Sequence, residues 1–494
     1  MPTPKVRKKA SAGASRELAA AVEAQRQGRL KEAEALYRSV LEVTPAHWQA
    51  LHQLGAIHLA RGELTEALQF IGAAMKANAG SAEVTSNYGV VLRRMKRDGE
   101  AIEYFNRALI LKPGYIPALL TRGACLQRLG RRDQALASFD RVIALEPNHA
   151  KAHYNRANVL HELRRFDEAL QAYARATALA PQDADAHWNE SLTRLLCGDF
   201  TEGWRKYEWR LRRPAHDERS FPAPLWQGEP AADKTVLVHA EQGYGDTLQF
   251  VRYVPLLAET GARVVLEVQP ALKPLLATLE GVSVLAARGE TLPHFDLHCP
   301  IMSLPRAFKT ELSTIPARLP YVKVPQHHEE KWRSRLPQNA KPRVAFAWSG
   351  SATHEQDAAR SLPLAKLQPL LAGERIQWIS VQRDLRQGDR EILSAHPEIS
   401  HFGDELKDFA DTAAVVAACD LVLSVDTSVA HLAGALDRNA WVMIQHSPDF
   451  RWLLDRSDSP WYPRTRIFRQ PGFDDWDGVI GEVRKELGSL FGLP

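Results

Sequence analysis

Two short stretches of the chain carry residues able to move a proton and to hold an anion. The first is Gly243-Tyr-Gly-Asp246, which follows the apolar, β-branched run 235–239 and precedes apolar residues at helical spacing: Leu248, Val251, Tyr253 and Leu256. That order predicts strand, glycine turn and helix. Gly243 and Gly245 let backbone approach a ligand, and Asp246 at the mouth of the turn offers a carboxylate that can accept a proton. The second stretch is Asp426-Thr427-Ser428, at the start of a helical pattern that carries His431. Hydroxyls and free N–H groups at a helix start suit a diphosphate, and His431, one turn in, can donate to the same oxygens. A third loop, Ser349-Gly-Ser351 with Arg360 following, also ends a strand-like run. Each residue has a structural reading beside the chemical one. Asp246 and Ser428 suit helix N-caps and His431 suits a buried core imidazole, and only the convergence of three loops favours a site.

The elements that must position these loops are strands alternating with helices. Strand-like runs at 235–239, 263–268, 282–285 and 321–324 form one block, and runs at 343–348, 377–381, 421–425 and 441–444 form another. Helical patterns lie at 246–259, 270–279, 363–371, 409–418 and 428–436. Continuous β-branched strands joined by helices predict parallel sheets covered on both faces. Two doubly wound lobes are expected, at 234–335 and 336–494, with the ligand-binding loops at the carboxyl ends of their strands.

Ahead of them runs a repeat with a period of 34 residues. Gly28, Gly62, Lys96, Gly130, Arg164 and Gly198 keep that spacing. So do the small residues Ala33, Ala67, Ala101, Ala135, Ala169 and Gly203, and the larger Tyr37, Ile71, Phe105, Phe139, Tyr173 and Tyr207. Pro45, Pro113, Pro147 and Pro181 close their units. Small residues where helices cross, a turn residue and a helix-ending proline describe six helix-turn-helix units resembling tetratricopeptide repeats, at 14–214. A stacked array of this kind presents a groove to a protein or peptide partner. Its groove position holds Gln53, Asn87, Thr121, Asn155 and Asn189, a row of side chains able to hydrogen-bond an extended backbone. The row is similar to the asparagine ladder of the eukaryotic O-linked N-acetylglucosamine transferase array, from which Gln53 and Thr121 depart. Residues 1–13 are expected to be a disordered basic tail, and 215–233 a linker whose aromatics pack.

The chain of 494 residues is 45% apolar, with a formal charge of +4. So small a surplus over this length argues against a nucleic-acid or anionic-membrane surface as the main partner. There is no apolar run long enough to span a membrane and no apolar leader segment, and Cys125, Cys197, Cys299 and Cys419 are scattered without a paired motif. A cytoplasmic, reduced protein is expected. A lone Asp475-Trp-Asp477 reads as a helix cap rather than a metal site, so no metal and no cofactor are expected.

At the glycine turn and the Asp-Thr-Ser-x-x-His-Leu-Ala segment of 426–433, the chain resembles the ADP-heptose:lipopolysaccharide heptosyltransferases, glycosyltransferase family 9, of the two-lobed GT-B fold. Fusion to the repeats, with the stretches 241–253 and 458–470, resembles a bacterial group of repeat-bearing, heptosyltransferase-like proteins. The resemblance implies inverting, metal-independent transfer of a sugar from a nucleotide-diphosphate sugar. It implies Asp246 as general base and Asp426, Thr427 and His431 in the phosphate loop. Ser428 replaces the family's glycine, and the tryptophan that follows the family's basic residue is missing near Arg360. Those departures keep a second expectation open: a repeat scaffold with a catalytically silent nucleotide-sugar-binding domain.

Overall fold

The computed structural model describes residues 4–213, 219–352, 357–371 and 375–492, with side chains from residue 15 onward. It divides into two compact units, 1–186 and 187–494.

The first unit is helical throughout. Helix α1 (Pro4–Arg26) pairs with α2 (Leu30–Val43), α3 (Trp48–Arg61) with α4 (Leu64–Ala77), and α5 (Ala82–Arg94) with α6 (Asp98–Leu111). The series continues with α7 (Ile116–Arg128) and α8 (Arg132–Leu145), then α9 (Ala150–Glu162) and α10 (Phe166–Leu179). Of the stretch expected as a disordered tail, residues 4–13 belong to α1, where an alanine-rich run of high helix propensity leads into the buried Ala21 and Ala24; residues 1–3 lie outside the described part. The 34-residue register has a direct physical basis. Its turn position has positive φ in all six units: Gly28, Gly62, Gly130 and Gly198, and also Lys96 (62°) and Arg164 (58°). The small positions from Ala33 to Ala169 are fully buried, and Gly55 and Gly123 lie so close to Ile71 and Phe139 that a Cβ would sit 2.3 and 2.6 Å from those side chains.

The second unit opens with α11 (Ala184–Leu196), which straddles the division, and α12 (Phe200–Tyr207), followed by a 3-10 turn at Glu208–Arg212. The division into units thus runs through the sixth repeat, inside the expected repeat span of 14–214. Residues 214–218 of the expected linker lie outside the described part. From 219 onward Trp226 is buried against Phe308, and Phe221 lies against His239 and His298.

Two wholly parallel sheets follow. The first comprises β1 (Thr235–His239), β2 (Arg263–Val268), β3 (Val282–Ala287) and β4 (Leu297–Pro300), in the order β3-β2-β1-β4. Helices α13 (Tyr244–Phe250), α14 (Val254–Glu259), α15 (Lys273–Leu276) and α16 (Leu304–Ala307) connect its strands, and α17 (Gln326–Arg335) leads to the second sheet. That sheet comprises β5 (Arg343–Ala347), β6 (Gln377–Ser380), β7 (Ser400–His401), β8 (Leu421–Val425), β9 (Ala440–Ile444) and β10 (Thr465–Arg469), in the order β10-β9-β8-β5-β6-β7. Counted in order of appearance this is 6-5-4-1-2-3, the order of a doubly wound nucleotide-binding sheet. Its helices are α18 (Asp357–Arg360), α19 (Leu364–Leu371), α20 (Asp389–Ala395), α21 (Phe409–Ala417), α22 (Ser428–Ala435) and α23 (Trp476–Phe491). Phe346, Trp348, Trp378 and Phe468 anchor the core between strands and helices.

One expected strand is corrected. Residues 321–324 cross between the lobes instead of joining a sheet: the Tyr321 N–H donates to the Ala435 carbonyl (3.3 Å) and its hydroxyl to the Leu248 carbonyl (2.8 Å). Pro320 and Pro325 bracket the run and remove ladder donors. The fourth strand is β4, a short segment broken by His298 and Pro300 that carries no periodic signal.

Candidate functional site

In an open α/β sheet a ligand crevice opens where successive connections leave in opposite directions. In the second sheet that point lies between β5, which leads to β6, and β8, which leads to β9. The loops at its rim are Trp348 to Ser351 and Asp426 to Ser428, two of the stretches singled out by sequence. Ser349 is 4% exposed, and its hydroxyl has no hydrogen-bond partner. Its N–H, and that of Trp348, both donate to Gln382 Oε1 at 3.1 Å, which fixes the start of the loop. Ser351 is exposed. Arg360, at the end of α18, lies over Gly350, where a Cβ would stand 2.6 Å from its Nη2. Its Nη1 donates to the Asp426 carbonyl (3.4 Å), while its buried Nε has no partner. A guanidinium and a hydroxyl with unmet donors, buried at the switch point, have the chemistry to meet an anion.

The N-cap of α22 is Thr427, not Ser428: the Thr427 hydroxyl accepts from the Val429 N–H (3.3 Å) and shares a hydrogen bond with Ser424 (3.0 Å). Ser428 thereby begins the helix, where a backbone N–H has no partner within the helix. His431 is buried; its Nδ1 meets the Tyr462 hydroxyl (3.0 Å), its ring stacks on Trp452, and its Nε2 lies 4.0 Å from Asp426 Oδ1. Burial holds its pKa well below the ordinary imidazole range, with Arg451, Arg252 and Arg360 acting in the same direction, so the ring is neutral. Burial pushes Asp426 up to about 6, reinforced by the charge of Asp449 and opposed by Arg451 and Arg360.

The first lobe brings Asp246 to this cluster. Helices α13 and α22 pack together, and Gly245 approaches so closely that a Cβ there would lie 2.8 Å from His431 Cδ2. Gly243 is the N-cap of α13, and its N–H donates to Asp246 Oδ2 (2.9 Å). The capping reading of Asp246 is therefore met by one oxygen. The other pairs with Arg451 Nη2, from a 3-10 turn at Phe450–Trp452 after β9. Arg451 also donates from Nε to Gln249 Oε1 (2.8 Å) and from Nη1 to Asp449 Oδ1 (2.7 Å). Burial raises the pKa of Asp246, against the pull of Arg451. Sequence reasoning missed Arg451, because its partner stands 205 positions away. Arg252, on the turn after α13, is buried and donates to the Trp461 carbonyl (2.9 Å).

A second missed group fills the crevice of the first sheet, between β1 and β4. Arg210, from the turn after α12, donates from Nε and Nη2 to the two oxygens of Glu241 (3.0 and 2.7 Å) and also reaches Ser303 Oγ (2.7 Å). Glu241 in turn accepts from the Met302 N–H (3.1 Å). A fork-shaped cation thus occupies the place where a ligand would enter this lobe, and it anchors the loop leading to Asp246. Elsewhere, Asp475 caps α23 and Asp477 pairs with Lys366. His328, Asp408 and Asp411 cluster, but Asp408 caps α21 and Asp411 already takes the Lys331 ammonium and the Trp332 indole N–H.

In the array, the groove positions differ in their engagement. Gln53 accepts from Gln25 (3.1 Å), Asn87 bonds His52 (2.7 Å), and Thr121 bonds back to the Pro117 carbonyl (2.8 Å). Asn155 and Asn189 are half-buried, the latter on α11. The first three are held by the array's own helices.

Comparison with known proteins bears mainly on this part. Residues 122–184 match a family model described as tetratricopeptide repeat, and residues 18–112 match one described as TT21 fifth ARM repeats domain. The amino-terminal helices are tetratricopeptide repeats. Protein FlbA of Caulobacter vibrioides is 26% identical over 322 residues, covering 59% of this chain and 53% of that protein. The chain thus spans about half the length of this curated relative. Among solved structures, YrrB, a TPR protein with an unusual peptide-binding site, is 24% identical, covering 36% of this chain and 91% of that one, with a TM-score of 0.33. PilW, a type IV pilus biogenesis factor, is 22% identical, covering 40% and 92%, with a TM-score of 0.38.

Proposed function

We propose that the second unit is a glycosyltransferase of the GT-B, heptosyltransferase-like kind. It would move a sugar from a nucleotide-diphosphate sugar to a protein or glycan acceptor that the repeat array recruits. One observation carries the reading: the unmet donors of Ser349 and Arg360 lie beside Asp426 at the start of α22, and α22 packs against α13, the helix that carries Asp246 on the opposing lobe. The sequence resemblance, which implies an inverting and metal-independent reaction, agrees with that arrangement. Four cysteines that form no disulfide accord with a cytoplasmic setting.

In the reaction the acceptor hydroxyl attacks the anomeric carbon on the face opposite the nucleotide. The new carbon–oxygen bond forms as the bond to the diphosphate breaks, and its electron pair leaves on the diphosphate. Asp246 takes the hydroxyl proton. Arg360, Ser349 and the N–H groups at the start of α22 stabilise the departing charge, in a half-buried site where such donors act strongly. Neutral His431 supports α22 and lends a donor to the same region.

The test is a screen of nucleotide sugars for binding, followed by intact-mass measurement of candidate acceptors with wild type and Asp246→Asn. Transfer that falls at least about a hundredfold in the variant, with nucleotide binding retained, supports the reading. Unchanged turnover sinks the role of Asp246. A second reading, a repeat scaffold with a silent nucleotide-sugar domain, is favoured by a specific observation: both oxygens of Asp246 are already engaged. Binding without transfer to any acceptor would select it.

A further inference from the structure

We propose that Arg451 is a positioning residue shared between Asp246 and the donor: a bound diphosphate and the Asp246 carboxylate compete for its guanidinium, so that donor binding frees the base. This rests on the glycosyl-transfer reading and adds to it an order of events, donor first.

The geometry supports a group that can be handed over. Arg451 is held at its backbone, where its N–H donates to Asp449 Oδ1 (3.0 Å), and its neighbour Phe450 is buried edge-on to Trp204. Its side chain, only 9% exposed, is divided among Asp246, Asp449 and Gln249. Two carboxylates thus share one cation at its own fork, and Asp426 adds a third carboxylate within its electrostatic reach. That surplus of negative charge holds Arg451 in place without making its bond to Asp246 indispensable. The amide nitrogen of Gln249, beside the guanidinium, is buried without a partner, so the contact network here is incomplete as it stands. A diphosphate carries more charge than one carboxylate and accepts the same two-pronged donor geometry, so it is the stronger competitor.

The consequence for Asp246 is chemical. The Gly243 N–H on one oxygen and Arg451 on the other both favour the charged carboxylate, and they hold down a proton affinity that burial raises. Loss of the guanidinium leaves a half-buried carboxylate with one backbone partner and raised proton affinity. That is the state an attacking hydroxyl requires.

Competition makes a thermodynamic prediction that needs no turnover. Binding of inorganic pyrophosphate and of uridine and adenosine diphosphates would be measured calorimetrically on the full chain for wild type, Asp246→Asn, Arg451→Gln, Arg451→Lys and the Asp246→Asn/Arg451→Gln pair. Thermal unfolding of each would confirm that it folds. Asp246→Asn is expected to tighten binding about tenfold, Arg451→Gln to weaken it by a similar factor, and Arg451→Lys to fall between. The double variant should bind like Arg451→Gln alone, because the gain from Asp246→Asn passes through Arg451. A merely structural role for Arg451 gives additive effects. Binding that Asp246→Asn leaves unchanged or weakens overturns the competition while leaving the crevice intact. Absence of binding by the folded wild type to all three ligands overturns the glycosyl-transfer reading itself.

Discussion

Gly245 and His431 belong to different lobes, yet a single methyl group on Gly245 would stand 2.8 Å from the His431 ring. The distance makes the glycine a requirement of the contact between α13 and α22. Gly245→Ala should therefore destabilise the second unit by about 1–3 kcal/mol and weaken nucleotide binding by shifting His431. Gly243→Ala is the control: its φ is −72° and its Cβ would lie 3.3 Å from an Asp246 oxygen, so a smaller loss is expected. Denaturant unfolding of both variants would check the contrast, and equal losses would count against the packing account.

Asp426 sets a pH dependence with a definite sign. Its folded pKa, about 6, exceeds the ordinary 3.8, so the folded chain binds the proton more tightly than the unfolded one. The stability it contributes is complete below about pH 4 and is lost as pH rises through about 6. At about 1.4 kcal/mol per unit the loss is at most about 3 kcal/mol. Asp426→Asn should remove it and raise the melting temperature at pH 7.5 more than at pH 4.5. A uniform shift at both pH values would refute the assignment.

Arg210 and Glu241 form a buried pair whose side chains are 2% and 4% exposed. Arg210→Ala leaves Glu241 and Glu208 without their common partner and is expected to cost about 3–5 kcal/mol. Arg210→Lys keeps the charge but loses the fork, and should cost less. Chemical denaturation followed by tryptophan fluorescence distinguishes these outcomes from the near-zero effect of an exposed pair such as Arg205 with Glu202.

Lys96 occupies the turn position that glycine holds in four of the six repeats, with φ of 62°. Lys96→Gly should stabilise the array by about 0.5–1 kcal/mol, since the left-handed conformation strains any residue with a Cβ. The reverse change, Gly62→Ala at φ 81°, should destabilise it by a similar amount. Circular dichroism melts of the two single variants measure both signs.

The array was legible almost residue by residue, because each of its contacts recurs at one spacing. The glycine that turns, the alanine that is crossed and the aromatic that fills the gap all lie within one unit or the next, so the period records the packing. The strands β1, β2, β5, β6, β8 and β9 were legible for a related reason: an interior parallel strand is apolar along its whole length. Residues 321–324 carried the same local pattern and yet form no strand. Alternating valines between two prolines suit an extended crossing as well as a ladder. β4, with a histidine and a proline among four residues, carried no pattern and yet pairs with β1.

The sequence by itself determined the repeats, the two parallel sheets, and the chemistry available at 243–246, 349–360 and 426–431, because helix, strand and turn preferences act over a few residues. Only the tertiary structure decided which of those groups meet. Arg451 on Asp246, Arg210 in the first sheet's crevice, and Tyr462 on His431 are partnerships across 31 or more residues. They are set by how two separately formed lobes dock and by which charges cannot be buried alone, and no local pattern encodes that.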